Sequence, residues 1–393
     1  MPAGSPEAAR IAEGLIASAV GGPRGSRRRG RFHTLRVAAV RPLTDAAVEV
    51  TFAIPEQLRG EYDYLAGQHV ALRTTLDGHE VRRSYSLCRQ LDAGGGGDGP
   101  QTISVAIKRD LGGRFSTWAQ SELKPGDELD VMSPQGSFTS TLADLDGRHV
   151  AGIAAGSGIT PLMALAATVL ARSETSRFTL VYTNRSTTDV MFVEELSELK
   201  DRYLTRLALH HVLSREQRTA PLLSGRIDED RLRRILDALV FPETVDEWFL
   251  CGPFDLVQLC RDTLEDVGVA SAHVRYELFT TGEPTAPPTD RPVVVRAGED
   301  QWKLEFTLDG QSSSVESPVD ARESILSAAL RVRPDVPFAC AGGVCGTCRA
   351  RLVEGSVAMT ENYALEPDEL ERGYVLTCQS HPQTDRVVVD YDV

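Results

Sequence analysis

Four cysteines in the last quarter of this 393-residue chain are the residues best placed to do chemistry. Cys340, Cys345 and Cys348 form a C-x4-C-x2-C run, and Cys378 follows thirty residues later. Four thiolates at this spacing hold the two irons of a 2Fe–2S cluster. Gly342, Gly343 and Gly346 suit the same task, because they let the backbone fold closely around a cluster and turn N–H groups toward its sulfurs. A structural zinc site is the main rival. Such sites usually pair two C-x2–4-C knuckles, whereas Cys378 stands alone. Disulfides and unligated thiols are the other uses open to these residues. Cys88, Cys251 and Cys260 remain, widely spaced. An odd remainder beside a cluster that needs thiolates suits a reducing cytoplasm.

Two further motifs point to a flavin. Arg83-Ser84-Tyr85-Ser86 reads as the end of a strand. Its Arg can neutralise a pyrophosphate, and its aromatic can stack on a flat ring. Gly112-Gly113-Arg114-Phe115-Ser116 then opens a helix that runs through Trp118. A glycine turn at a helix N-terminus offers N–H groups to phosphate. Together they suggest FAD seated on a sheet. The plainer readings are a surface Arg–Tyr strand pair and a helix cap with Ser116 in the first turn.

A nucleotide site is suggested by Gly156-Ser157-Gly158-Ile159-Thr160-Pro161, which follows the apolar strand Val150–Ala154 and starts a helix. It departs from the G-x-G-x-x-G fingerprint by placing Pro161 last, and Pro suits the first turn of a helix. A purely structural turn is the alternative. The next strand runs into Arg185 and Ser186, where an NAD site would favour an acidic residue for the ribose 2′-hydroxyl. A cation and a hydroxyl suit a 2′-phosphate, so the expected electron donor is NADPH rather than NADH. Arg185 would serve equally as a solvated strand-end charge. Cys251-Gly252-Pro253 ends a later strand. A lone cysteine there is usually a small buried residue, although the C-terminal edge of a parallel sheet is where ligands bind.

These motifs need three kinds of scaffold, and the pattern supplies them. Residues 1–31 carry six Arg against two Glu and read as a disordered basic extension. Residues 32–145 show short branched-residue strands at Leu35–Ala39, Val48–Ala53, His69–Thr74 and Thr102–Lys108, which predict an antiparallel β-barrel. Residues 146–280 alternate strands with helices, including helices at Val193–Arg202, Asp228–Ala238 and Leu256–Val267, and predict an α/β domain on a parallel sheet. Residues 281–292 are a proline-rich linker. Residues 293–393 form an α+β domain, with a strand pair at Val293–Val295 and Leu304–Leu308, a helix at Ala321–Ala329 and a closing strand at Val387–Val389. The chain carries −14 overall, which argues against nucleic acid or an anionic membrane surface as a partner. It has no apolar run long enough for a membrane helix. The last domain holds nine Lys or Arg against seventeen Asp or Glu. Its segment with Glu366, Asp368, Glu369 and Glu371 reads as a solvated helix or as a face that steers docking.

In this order the pieces resemble the ferredoxin–NADP reductase superfamily with a C-terminal plant-type ferredoxin domain of β-grasp fold, over residues 32–393. The resemblance implies that Arg83, Ser84, Tyr85 and Ser86 bind FAD, with Tyr85 against the isoalloxazine. The strand Val105–Lys108 and the turn Gly113, Phe115 and Ser116 would hold the rest of the flavin. Gly156, Gly158, Thr160, Pro161, Arg185 and Ser186 would take the nucleotide. Cys251, with Gly252 and Pro253, would lie beside the nicotinamide, and Glu277 and Phe279 would close over the flavin. Tyr85, Ser86, Cys251 and Phe279 are the expected catalytic group. The opening Phe32-His33-Thr34-Leu35 and the tail from Asn362 through Leu370 and Gly373 through Pro382 are similar to reductase subunits that feed a separate multisubunit di-iron oxygenase. Electrons would then pass from NADPH to FAD, to the 2Fe–2S cluster and to the oxygenase, through weak or transient docking. Another monooxygenase or a ring-hydroxylating dioxygenase is the alternative acceptor. An iron–sulfur sensor or interaction protein is the alternative of a different class.

Overall fold

The computed structural model describes residues 30–90, 99–110, 113–279, 300–338, 341–362, 364, 365 and 367–393. They cluster into two compact units, one built on residues 30–279 and the other on residues 300–337 and 341–393. The expected basic extension as far as residue 29, the linker 281–292, Val293–Val295, Gly112, Cys340 and Glu366 lie outside the described residues.

The first unit begins with six antiparallel strands: β1 (Phe32–Thr44), β2 (Ala47–Ala53), β3 (His69–Leu76), β4 (His79–Ser86), β5 (Thr102–Lys108) and β6 (Glu128–Met132). Their order is β4-β3-β6-β1-β2-β5, and Leu87 just beyond β4 pairs with Val105 of β5, closing the barrel. Alternation puts Val48, Val50, Phe52, Val70, Leu72, Ile103, Val105, Ile107 and Val131 inside. The sequence pattern shows no strand at β6, whose Glu and Asp weaken it; β6 nonetheless bridges β1 and β3. Helix α1 (Arg114–Ser121) buries Phe115 and Ala119 against the barrel.

Five parallel strands follow, β7 (His149–Ala155), β8 (Arg177–Asn184), β9 (Leu207–Leu213), β10 (Glu247–Gly252) and β11 (Val274–Leu278), in the order β11-β10-β7-β8-β9. Their helices are α2 (Ile159–Arg172), α3 (Val193–Arg202), α4 (Glu229–Ile235) and α5 (Phe254–Asp266). The chain moves from β7 toward β9 on one side and resumes at β10 on the other. The ends of β7 and β10 therefore flank a topological switch point, where ligands bind in such sheets. The expected helix Asp228–Ala238 is shorter as an α-helix than the pattern suggested. It passes into a π-helical turn at Leu236–Val240, stopped by left-handed Phe241 (φ 60°) and Pro242.

The second unit has a mixed sheet of β12 (Gln301–Leu308), β13 (Gln311–Pro318), β14 (Arg349–Glu354), β16 (Tyr374–Leu376) and β18 (Arg386–Asp390), in the order β13-β12-β18-β14-β16. Strands β15 (Val357–Met359) and β17 (Ser380–Pro382) pair separately. The antiparallel partner of β12 is β13, a serine-rich strand whose composition hid it. Its signal was the turn: Asp309 (φ 56°) and Gly310 (φ 69°) are left-handed in sequence, as a two-residue hairpin requires. Helix α6 (Ile325–Leu330) starts later than expected because Ser324 caps it, accepting from the Ser327 N–H at 3.2 Å.

Barrel and parallel sheet are tied partly through Glu247, only 2% exposed on β10. Its carboxylate accepts from the Ser140 hydroxyl at 2.6 Å, the Thr141 N–H at 3.0 Å and the Thr141 hydroxyl at 2.9 Å, on the connection leaving the barrel. Glu247→Ala strands these donors. It should cost about 3 kcal/mol, read as a lower urea midpoint by tryptophan fluorescence. An unchanged midpoint would show that the connection is not held here.

Candidate active site and cluster site

Strand β4 delivers the flavin motif to the barrel edge. Arg83 is exposed, and the Ser84 hydroxyl is buried without a hydrogen-bond partner. Tyr85 stands 5.8 Å from the ring of Phe115, which is fully buried in the barrel core and stands 5.6 Å from Trp118, so aromatic rings pack β4 against α1. Burial pushes the Tyr85 phenol up, which keeps it neutral. Ser116 ties the α1 turn: its hydroxyl accepts from the Asp110 N–H at 3.1 Å and donates to the Gly113 carbonyl at 3.3 Å. A Cβ on Gly113 would lie 2.6 Å from the Ser116 hydroxyl, so the close turn requires glycine. Ser116 thus braces the turn from within the first turn of α1, whose N-cap is Gly113 with no side-chain cap bond.

The nucleotide side meets this face at the ends of β7, β10 and β11. A Cβ on Gly158 would lie 2.2 Å from the Cys251 carbonyl oxygen, so the start of α2 touches the end of β10 backbone to backbone. Pro161 sits buried in the first turn of α2, and the Thr160 hydroxyl donates to the Ser157 carbonyl at 3.0 Å. Gly156 is left-handed (φ 53°), and its carbonyl accepts from the Tyr182 hydroxyl at 2.9 Å. Lys108, expected on the flavin, extends its amine toward this turn: a Cβ on Gly156 would lie 3.2 Å from Nζ. Burial pulls the Lys108 ammonium down, with Asp189 opposing.

Ser86, Cys251 and Glu277 converge from three elements. Cys251 and Glu277 are register partners on β10 and β11. The Ser86 hydroxyl donates to Glu277 at 3.0 Å from the barrel side. Burial first, then the Glu277 carboxylate, push the Cys251 thiol well above its ordinary value. Cys251 therefore remains a neutral thiol, a shape at the crevice rather than a nucleophile. The Phe279 N–H donates to the Gly252 carbonyl at 2.9 Å, holding the segment after β11 over the β10 end next to Pro253, the N-cap of α5.

At the end of β8 the two residues expected for a 2′-phosphate are already engaged. Asp189 accepts from Arg185 at 2.7 Å and from the Ser186 hydroxyl at 2.7 Å. Burial opposes its charge, but these bonds hold its carboxyl below the ordinary range. Glu216 likewise accepts from the Thr187 N–H and hydroxyl, both at 2.7 Å. Sequence reading missed both acids because they lie beyond the strand end where one was sought.

In the second unit Cys345, Cys348 and Cys378 are all buried, and no disulfide joins the described cysteines. A hydrogen bond with Cys348 lowers the Cys378 thiol; burial opposes it, and the Gly343 N–H assists. Gly343 (φ 78°) and Gly346 (φ 66°) are left-handed, and a Cβ on Gly343 would lie 3.0 Å from the Glu361 carbonyl. The Thr377 hydroxyl donates to the Cys348 carbonyl at 2.9 Å, fixing the two ligand segments together. The contact of Cys348 with Cys378 and the Gly343 N–H facing sulfur fit part of an iron–sulfur site, although among the described residues no three metal-ligating side chains are gathered. The acidic segment needs correction. Glu369, on helix α7 (Pro367–Glu371), is 1% exposed and paired with Arg349 at 2.6 Å, so it belongs to the packing of this unit and to no docking face.

Fold and site together define a flavin- and nicotinamide-dependent oxidoreductase joined to an iron–sulfur domain. Residues 36–140 match the oxidoreductase FAD-binding domain family, residues 153–262 the oxidoreductase NAD-binding domain family, and residues 306–383 the 2Fe-2S iron-sulfur cluster binding domain family. One of the subunits of the 1,2-phenylacetyl-CoA epoxidase of Escherichia coli (strain K12) is 42% identical over 362 residues, 92% of this chain and 98% of its own. The 3-ketosteroid-9-alpha-monooxygenase, ferredoxin reductase component, of Rhodococcus rhodochrous is 32% identical over 91% of this chain and 96% of its own. Solved phthalate dioxygenase reductase, a modular structure for electron transfer from pyridine nucleotides to [2Fe-2S], shares the fold with a TM-score of 0.53 at 22% identity, covering 91% of this chain and 98% of that one. The chain belongs to the family of FAD- and 2Fe–2S-containing oxygenase reductases. When bound, the flavin supplies the step between a two-electron hydride donor and a one-electron acceptor. Among the chain's own residues, Ser86 donates a hydrogen bond to Glu277 where barrel and parallel sheet meet.

Cys348→Ser should abolish or strongly deplete the cluster, measured as iron and sulfide content, while FAD content stays near one per chain. Loss of FAD with the iron would contradict separate sites. Ser86→Ala should slow flavin reduction roughly tenfold, the worth of one hydrogen bond to a charged group, seen by stopped-flow bleaching. A rate within twofold of the parent would remove Ser86 from the reacting groups.

Proposed function

We propose that this chain is the reductase component of a phenylacetyl-CoA epoxidase, passing electrons from NADPH through FAD and a 2Fe–2S cluster to a multisubunit di-iron oxygenase in the cytoplasm. The observation that carries the reading is the 42% identity to the Escherichia coli epoxidase component across both units, with almost the whole of that relative covered. The working division is residues 32–145 for the flavin, 146–280 for the nucleotide and 293–393 for the cluster, with the basic extension before them. The cluster ligands are Cys340, Cys345, Cys348 and Cys378. The flavin ligands are Arg83 through Ser86 with Gly113 and Phe115, and the nucleotide ligands run from Gly156 to Pro161. Among the described residues no helix is long and apolar enough to cross a membrane. Docking to the oxygenase is transient, as an electron carrier that must also meet its own flavin requires. The steroid-monooxygenase likeness supports the alternative of another oxygenase partner more weakly, at 32% identity.

The decisive assay adds purified phenylacetyl-CoA oxygenase or a ring-hydroxylating dioxygenase, each with its substrate, and follows NADPH consumption. Substrate-dependent turnover with the first and little with the second is expected; the reverse would sink the assignment of partner.

NADPH preference rests on Arg185 and Ser186, against which Asp189 acts. Its anionic carboxylate must yield them to a 2′-phosphate and repels that phosphate at close range. Arg185→Ala should lower the NADPH-to-NADH ratio of kcat/KM by about ten- to a hundredfold, whereas Asp189→Asn should raise it by about tenfold. Equal effects on both nucleotides would show that this strand end does not read the phosphate.

A further inference from the structure

A four-charge cluster joins the barrel to α3 and has no part in the chemistry described so far. Glu49, on β2, is 4% exposed. Arg41 of β1 pairs with it at 2.7 Å, and Arg89 donates to it through Nε and, at 2.6 Å, through Nη2. Both guanidinium groups then extend to Glu195 in the first turn of α3, Arg89 at 3.0 Å and Arg41 more closely still. Burial opposes the charge on Glu49, yet the two Arg hold its carboxyl below the ordinary range. Arg89 is itself held: the Tyr64 hydroxyl donates to its carbonyl at 2.8 Å, and its guanidinium lies 5.6 Å above the buried Phe192 ring.

The place of this cluster in the chain gives it meaning. Helix α3 begins immediately after Arg185–Phe192, the loop that carries Arg185, Ser186 and Asp189. That loop is fastened at its C-terminal end. The Met191 N–H donates to the Tyr182 hydroxyl at 3.2 Å, and that hydroxyl donates to the Gly156 carbonyl in the glycine turn. Phe192, left-handed at φ 59°, then turns the chain into α3 beneath Arg89. Glu195 lies three residues further on. We propose that Glu195, gripped by Arg41 and Arg89, is a positioning residue that fastens the ribose-reading loop to the flavin barrel and so sets where the nucleotide's adenosine end lies relative to the flavin. An exposed pair would be too weak for this task. Here the anchor is the buried Glu49 and the two Arg it has already ordered, so Glu195 meets preorganised donors.

The inference rests on the reading that Arg185–Asp189 contacts the ribose end, and the test separates the two. Glu195→Ala and Glu195→Gln are purified with FAD bound, and kcat and KM for NADPH and NADH are measured with ferricyanide. Each should raise KM for NADPH about three- to tenfold, with kcat within twofold, and should shrink the NADPH-to-NADH ratio, Ala more than Gln. Glu195→Asp should restore part of the ratio. A merely stabilising contact would lower the melting temperature and leave the ratio as it was, and that result overturns the proposal. If Glu195→Ala does not fold, Arg41→Gln weakens the grip from the barrel side while leaving Arg89 on Glu49, and the same shift in ratio is required of it. If Arg185→Ala moves the ratio and no clamp variant does, only the positioning role fails. If Arg185→Ala leaves the ratio unmoved, the ribose reading fails first, and the positioning role falls with it.

Discussion

Carboxylates taken out of water must find partners, and the first unit meets that demand at three points on the border between barrel and parallel sheet. Glu49 is met by Arg41 and Arg89, Glu247 by Ser140 and Thr141, and Glu277 by Ser86. Each of the last two crosses the border directly, and the first does so through Glu195. Their common consequence is a fixed separation between Tyr85 on the barrel and the switch point of the sheet. Hydride transfer tolerates little error in that separation. Polar contacts specify geometry here in a way that an apolar seam, free to slide, would not.

The same economy appears at the backbone level. Gly158 lacks a side chain where α2 meets the end of β10, and these backbones touch as a result. Burial keeps the Cys251 thiol and the Tyr85 phenol neutral, with the Glu277 carboxylate beside Cys251. The charged groups, Lys108, Arg185 and Asp189, stand further along, where phosphates rather than reacting atoms would lie.

In the second unit the buried pair of Glu369 and Arg349 shows how composition misleads about surface. The segment is acidic and ends in glycine, as a solvated helix would, yet Arg349 directly follows Cys348 and draws Glu369 inward. Net charge counts residues; burial decides which of them a partner meets. The acidity of this unit is accordingly less available for steering than its total suggests.

What could be read in the chain itself was whatever local chemistry dictates. The cysteine spacing, the glycine turns before α1 and α2, the parallel strands and the helix Val193–Arg202 all follow from periodicity and from residues with few conformational options. The serine-rich strand β13 and the acidic β6 were obscure because a strand held by its neighbours needs no signal of its own. Tertiary structure alone decided the long-range pairs. Ser86 and Glu277 are 191 residues apart, Arg41 and Glu195 154 apart, and no local pattern records either. Asp189 is the instructive case between these limits. It lies four residues past Arg185, yet only the 3-10 turn at Thr187–Asp189 brings its carboxylate back onto Arg185 and Ser186. Spacing limits which groups are able to meet; the path of the backbone between them determines which do.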